Sequence, residues 1–314
     1  MNKSNKIIAI QGDFIQSINR KTDTTLLLAL DAQERDYKVY YYETKNLTFS
    51  NNKVYALSKE VKFNANKSKF YSIKRSKILD LSKAKFVLMR QNPPFNMDYI
   101  TATFLLEKIS KKTHIINNPF AVRNMPEKLC STNFLKLMPP TIFTKNIDEI
   151  EKFMKKYKKI VIKPTHGYGG KNILFISKNL VKTQISKYIK KNGHVMVQKF
   201  IPQIKYGDKR IFIIGGIIKG VIKRIPKKGS ILSNIGQGGN AVETTLTKKE
   251  LHIAEIVAAN LKKNNIVFAG IDLIANYLTG DINITSPTGL KNFKDLTGKN
   301  LAIDFWNCVE KKVN

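Results

Sequence analysis

The stretch VIKPTHGYGGKNILF (161–175) decides how the rest of the chain is read. An apolar run ends in Lys163 and Pro164, a loop follows with Gly167, Gly169 and Gly170, and a second apolar run returns. Backbone N–H groups of such a loop can close on phosphate oxygens because no Cβ stands in the way, and the neighbouring lysine adds charge. The loop is not of the Walker type, which needs GK[ST] entering a helix. A strand rather than a helix comes next, so it is not a dinucleotide fingerprint either. Taken alone, it is equally an ordinary glycine hairpin.

Two further constellations follow it. In VMVQKFIPQIKYGDKRIFII (195–214), Gln198, Lys199, Phe200 and Ile201 stand at a strand end before Pro202. That arrangement suits a hinge whose free backbone groups pair with a base edge. Asp208 and Arg210 lie two apart at the start of the next strand and so share a face; in isolation they read as a surface ion pair. In GIDLIANYLTGDINITSPTG (270–289), Asp272, Asp281 and Asn283 fall on successive strands. Two carboxylates and an amide are hard oxygen donors suited to Mg²⁺ that also holds nucleotide phosphates. Asp272 sits inside the apolar run AGIDLI, where a lone charge is prohibitive, so a cation is expected beside it. Ser286 and Thr288 offer hydroxyls and backbone donors to a substrate carboxylate.

Outward from this region the chain divides in two. Residues 1–122 have a βαβ rhythm: strands at 6–10 and 37–43 flank a helix at 25–36. An excursion over 44–80, a strand at 85–90, a helix near 98–111 and a strand at 113–117 complete a small α/β domain. Residues 123–314 read as α+β, with helices near 126–136, 147–158 and 247–263, strands joined by tight glycine turns, and a terminal helix over 301–312.

Composition narrows the function. The 314 residues carry a formal charge of +32, but only seven of the 55 basic residues are arginine and the lysines are spread end to end. Base readout leans on bidentate arginine, so nucleic-acid binding is set aside in favour of a general lysine bias that helps recruit anionic substrates. No apolar run approaches the roughly 20 residues of a membrane span. Two cysteines in no metal-type spacing exclude a disulfide scaffold and fit the cytoplasm.

The order of the pieces, strand–lysine–glycine loop, strand–hinge–DxR, then D…DxN, resembles the ATP-grasp superfamily, and within it the bacterial glutathione synthetase family. The likeness also runs through INRKTDTT (18–25), LMRQNPPFN (88–96), INNPFAVRNMPEKL (116–129) and RIPKKGSILSNIGQGGN (224–240). It implies a Rossmann-like N-terminal domain followed by a two-lobed ATP-grasp fold. It also implies an ATP- and Mg²⁺-dependent ligation, with Mn²⁺ as a substitute, of γ-glutamylcysteine to glycine through an acyl phosphate. Carried onto this chain, Lys128, Lys163 and the glycine loop hold ATP phosphates, residues 198–201 receive adenine with Asp208 nearby, and Asp272, Asp281 and Asn283 bind metal. Arg210 stabilises the transferring phosphoryl group. Asn19, Arg90, Arg224, Ser286, Thr288 and the loop 227–240 shape the substrate pockets. The resemblance further implies a homo-oligomer, a tetramer. The rivals are another ATP-grasp carboxylate–amine ligase, or a catalytically weak nucleotide-binding relative.

The chain departs from the family pattern in places. TGDIN stands where TEIN is usual, with one added residue; because strand parity is two, Asp272 and Asp281 face one site only if Gly280 forms a bulge or the turn absorbs the insertion. His166 replaces an aspartate, and the arginines of the loop before Asn240 are absent.

Overall fold

In a computed structural model, the chain is described over residues 6–65, 67, 69–229, 233 and 238–312. The strands are β1 Ile7–Gly12, β2 Lys38–Glu43, β3 Leu47–Ser50, β4 Lys53–Phe63, β5 Tyr71–Asp80, β6 Phe86–Met89 and β7 His114–Ile116 in the first part. β8 Thr141–Thr144, β9 Ile160–Pro164, β10 Leu174–Ile176 and β11 Val195–Lys199 follow, then β12 Asp208–Ile214, β13 Ile217–Ile225, β14 Asn240–Glu243, β15 Phe268–Ile274 and β16 Tyr277–Asn283. The helices are α1 Thr24–Glu34, α2 Met97–Glu107, α3 Pro119–Asn124, α4 Glu127–Cys130, α5 Ile147–Tyr157, α6 Lys182–Asn192, α7 Lys248–Lys263, α8 Leu290–Thr297 and α9 Leu301–Lys311.

Three sheets result. The first has the order β3-β4-β2-β1-β6-β7, with β5 pairing β4. Its β2-β1-β6-β7 part is parallel, and the short apolar strands there are buried on both faces, as parallel strands covered by helices must be. The excursion over 44–80 is the antiparallel β3-β4-β5 extension of that sheet. The second sheet, β10-β9-β11-β8, is antiparallel and packs α5 and α6 through a core of its own, including Ile150, Phe153, Ile162, Ile185 and Val197. The third, β14-β13-β12-β15-β16, is also antiparallel.

Local chemistry sets the ends of these elements. Asp23 caps α1 by accepting from the N–H of Leu26, and Thr247 with Glu250 forms a capping box on α7, satisfying donors that a helix leaves free at its first turn. Gly215 and Gly216, at φ 61° and 78°, make the two-residue turn between β12 and β13 that a right-twisted hairpin prefers. Several elements go beyond the sequence reading. β8, just after the double proline of LMPPTIF, and α6, α8 and β14 fall where the sequence pattern assigns no element; α6 is KTQISKYIKKN, whose lysines obscure its apolar positions. The helix expected near 126–136 is the single turn of α4 continued by a 3₁₀ segment, Ser131–Leu137.

The last helix returns to the first domain. Arg35, which caps the C-terminus of α1, bonds Glu310 at 2.6 Å and Asn307 at 2.8 Å, and the Trp306 indole N–H donates to the carbonyl of Leu28 at 2.9 Å. Asn117, just after β7, joins the parallel sheet to the third sheet. Its amide donates to the carbonyls of Phe268 and Ile284, both at 2.7 Å, and its oxygen accepts from the N–H groups of Val267 and Phe268, both at 2.9 Å.

Candidate functional site

Between the second and third sheets lies a cleft of about 960 Å³. Its lining includes Lys128, Lys163, the glycine loop, Gln198–Ile201, Asp208, Arg210, Asp272, Asp281 and Asn283. Six separate elements and the glycine loop deliver these side chains, and register explains how they meet. Arg210 is directly opposite Asp272 on β15, and Asp208 directly opposite Arg224 on β13. The pair two apart in sequence thus shares a face, but each member finds its partner across the sheet rather than in the other.

The outcome is a buried chain of alternating charge. Arg210 grips both Asp272 oxygens, with Nη2 at 2.8 Å from Oδ2. Arg224 grips both oxygens of Asp208, with Nε at 2.9 Å from Oδ1, and reaches Asp272 Oδ2 at 2.9 Å. Burial pushes the Asp272 carboxyl up, but Arg210 and Arg224 more than offset this and hold it below the usual range. Burial raises Asp208 despite Arg224. The cation expected beside Asp272 is therefore a pair of guanidiniums. Both oxygens of Asp272 are thereby engaged by guanidiniums, and Arg224 is enclosed between two carboxylates. The reading of Asp208 with Arg210 as a surface pair is replaced by the buried Asp208–Arg224 pair.

Asp281 is held differently. Gly280 takes φ +92°, and the β15–β16 pairing shifts register between Ile271 and Leu273, so Thr279, Gly280 and Asp281 stand opposite Asp272. The slip spans two residues on β16, so strand parity is preserved and Asp281 shares the face of Asp272. A Cβ on Gly280 would fall 2.2 Å from the terminal methyl of Met196. The slip turns Asp281 to Lys128 Nζ at 3.3 Å and Lys163 Nζ at 3.5 Å. Burial alone would raise its carboxyl; the two ammoniums hold it far below the usual range. Lys163 also donates to the carbonyl of Thr279 at 3.0 Å, and Lys128 to that of Gly167 at 2.6 Å. Gly169 and Gly170, at φ 63° and 75°, turn the loop above them.

At the cleft's other end, Val161, Ile173, Phe200, Ile274 and Tyr277 give an apolar slot. The hinge is less open than its sequence implied. The N–H of Lys199 is bonded to Pro140 at 2.9 Å and that of Phe200 to Lys159 at 3.0 Å. Among the described residues only the Ile201 N–H of these three has no acceptor. The Gln198 amide is turned to Thr141 at 2.9 Å.

The expected substrate residues gather at the seam with the first domain. Arg90 is buried, donating to Thr25 Oγ1 at 3.1 Å and to the carbonyl of Pro287 at 2.8 Å, while its Nη1 has no partner among the described residues. Burial pulls its guanidinium down to about 10. Ser286 bonds the carbonyl of Arg90 at 3.1 Å, and the carbonyl of Thr288 accepts from Arg210 Nη1 at 3.4 Å. Asn19 is exposed, and its side chain accepts from the Lys21 N–H in the turn before α1. Of the loop 227–240, residues 230–232 and 234–237 lie outside the described residues; Ser233 lines the cleft.

Three neighbours escaped the sequence reading. Thr25 holds Arg90, Thr24 accepts from the N–H groups of Gly289 and Leu290, and Glu127 lines the cleft beside Lys128. Both threonines lie in INRKTDTT and Glu127 in PEKL, but nothing in their spacing marks them as facing a site.

For magnesium, the donor chemistry fits in part. Asp281 and Asn283 line the cleft from one face of β16, and Asn283 turns its amide N–H₂ to the carbonyl of Gly270 at 3.2 Å, which leaves its oxygen for another partner. No cluster of three or more His, Cys, Asp or Glu able to hold a metal occurs among the described residues. A cation here therefore needs phosphate oxygens and water as well, the usual manner for Mg²⁺.

The model of the prokaryotic glutathione synthetase N-terminal domain matches residues 7–123, and that of the prokaryotic glutathione synthetase ATP-grasp domain matches residues 127–298. The chain is 35% identical over 312 residues to the glutathione synthetase of Agrobacterium fabrum, covering 98% of this chain and 97% of the relative. It is 38% identical over 309 residues to that of Buchnera aphidicola subsp. Baizongia pistaciae, covering 96% and 94%. Among solved structures it resembles D-cycloserine synthetase DcsG, with a TM-score of 0.68 at 13% identity and coverage of 98% and 100%. It also resembles the ATP-grasp ligase PsnB, with a TM-score of 0.65 at 12% identity and coverage of 99% of each chain. These last two likenesses concern the fold, which is the expected ATP-grasp architecture.

Proposed function

The chain belongs to the prokaryotic glutathione synthetase family, and from that premise we infer that it is an ATP-dependent ligase joining γ-glutamylcysteine to glycine. The observation that carries the reading is the convergence of Lys128 and Lys163, from α4 and β9, on Asp281 of β16 at the closed end of the cleft. Two buried ammoniums sharing one carboxylate are poised to take a second anion. The triphosphate would draw them off Asp281, which frees that carboxylate.

Adenine enters the apolar slot, with the Ile201 N–H as donor to its edge. The phosphates run under the glycine loop to Lys128 and Lys163. Asp281 and Asn283 hold Mg²⁺ there, or Mn²⁺ in its place; the ion, when bound, supplies neutralisation of phosphate charge. Arg210 stands between Asp272 and the carbonyl of Thr288, so its guanidinium borders both the phosphates and the substrate turn. A rigid fork so placed stabilises the charge that builds on the transferring phosphoryl group and then on the tetrahedral intermediate. The dipeptide's cysteinyl carboxylate attacks the γ-phosphorus, ADP leaves, and the glycine amine displaces phosphate from the acyl phosphate. Arg90, a buried guanidinium that among the described residues has a free N–H and no carboxylate bonded to it, is the anchor for a substrate carboxylate, and Ser286 supports it. The tetrameric state and a cytoplasmic location belong to the same reading. Cys130 and Cys308 are free thiols, and no helix among the described residues is long and apolar enough to cross a membrane.

The test is phosphate release from ATP and Mg²⁺ with each substrate supplied alone and together. Turnover is expected only with both. Equal turnover without glycine or without the dipeptide would remove the reading.

A further inference from the structure

Glu127 opens α4 directly before Lys128, and the chemistry above leaves it without a task. It lines the nucleotide cleft and also a smaller cavity of about 290 Å³, walled by Pro93, Phe95, Thr165, His166 and Thr285. It therefore stands where the phosphate end of the cleft meets the first domain. Its side chain is 15% exposed, and Lys128 Nζ is 4.0 Å away. Among the described residues it accepts no hydrogen bond, because Lys128 spends its donors on Gly167 and Asp281. A withdrawn carboxylate with no close donor is an open seat for a small N–H cation. The other charges around it are Asp281, Arg210 and Asp272, and burial with the two aspartates outweighs Lys128 and Arg210, raising its carboxyl to about 7. His166 is stacked on Phe95, 6.3 Å between ring centres, and burial and Lys128 lower its basicity, so it supplies no rival charge.

We propose that Glu127 seats the ammonium group of the acceptor amino acid and removes the proton that must leave before the amine attacks. This rests on the ligase reading above. One N–H bond of the ammonium breaks and its proton passes to the Glu127 carboxylate. The freed nitrogen pair forms the C–N bond at the acyl carbon, and the C–O bond to phosphate breaks with its electron pair on phosphate. The second proton on nitrogen leaves with phosphate or water. A carboxylate titrating near neutral pH is matched to this exchange.

The experiment compares Glu127→Gln and Glu127→Asp with the unaltered protein, using glycine and, separately, hydroxylamine, an acceptor already uncharged at neutral pH. With glycine, Glu127→Gln loses about 100-fold in kcat/KM and Glu127→Asp recovers part of it. The KM for ATP moves by less than about threefold, and the loss with hydroxylamine is at most about a tenth of that with glycine. Equal losses with both amines, a larger rise in the KM for ATP, or unaltered glycine kinetics would overturn the proposal, the first two by assigning Glu127 to the support of Lys128. If the unaltered protein itself ignores glycine, it is the ligase reading that has failed.

Discussion

At the scale of single residues, the site is a study in how charges survive burial. Asp272 is tolerated because two guanidiniums clamp it, and Asp281 because two ammoniums do. Glu127 is the exception, and its isolation carries a cost that depends on pH. Its carboxyl is raised to about 7 from an ordinary 4.5, so between these values the folded protein binds a proton that the unfolded chain has released. Stability must therefore fall as pH climbs through that window and level off above it. In metal-free buffer, Glu127→Gln is expected to gain on the unaltered protein by on the order of 3 kcal/mol between about pH 4.5 and about pH 8. Urea unfolding at the two pH values checks this, and a gap that does not change with pH would contradict it.

At the scale of elements, β16 slips by two residues against β15 around Gly280, at φ +92°, which preserves strand parity. Asp281 thus keeps the face of Asp272 and is turned to both lysines. Alanine in place of Gly280 meets two obstacles: a backbone region closed to most side chains, and Met196, Met138 and Ser131 within 3.2 Å of the new Cβ. Met196 can swing aside, but the dihedral cannot. Gly280→Ala is expected to lose about 2 kcal/mol of stability. It should also raise the Mg²⁺ concentration needed for half-maximal turnover, because Asp281 would be displaced from Asn283. Denaturant unfolding and a metal titration test the two halves separately. The same scale shows why some elements were illegible: α6 owes its place to Ile185 under the second sheet, a single fully buried side chain in a run dominated by lysine and polar residues.

At the scale of the whole molecule, Asn117 is the joint. All four of its hydrogen bonds cross from the parallel sheet to backbone groups around β15 and β16. Asn117→Ala would leave two carbonyls and two N–H groups buried without it, and is expected to cost at least about 3 kcal/mol. Calorimetry should then show the first domain melting apart from the rest rather than with it, and one unchanged, cooperative transition would refute the role.

Residue order alone shows how the chemistry is laid out along the chain: lysine and glycine loop, hinge and arginine, then the carboxylates and the amide of the last hairpin. It could do so because phosphate and metal chemistry limits the residue types at each step, and because strand parity shows which neighbours share a face. Which charge neutralises which is fixed only on folding. Asp208 pairs with Arg224 and not Arg210, Asp272 is clamped by guanidiniums, and Glu127 is left with an open carboxylate, because electrostatic partners are chosen by distance across strands and cavities. Separations of 62 residues between Arg210 and Asp272, or 118 between Lys163 and Asp281, vanish only when the sheets pack.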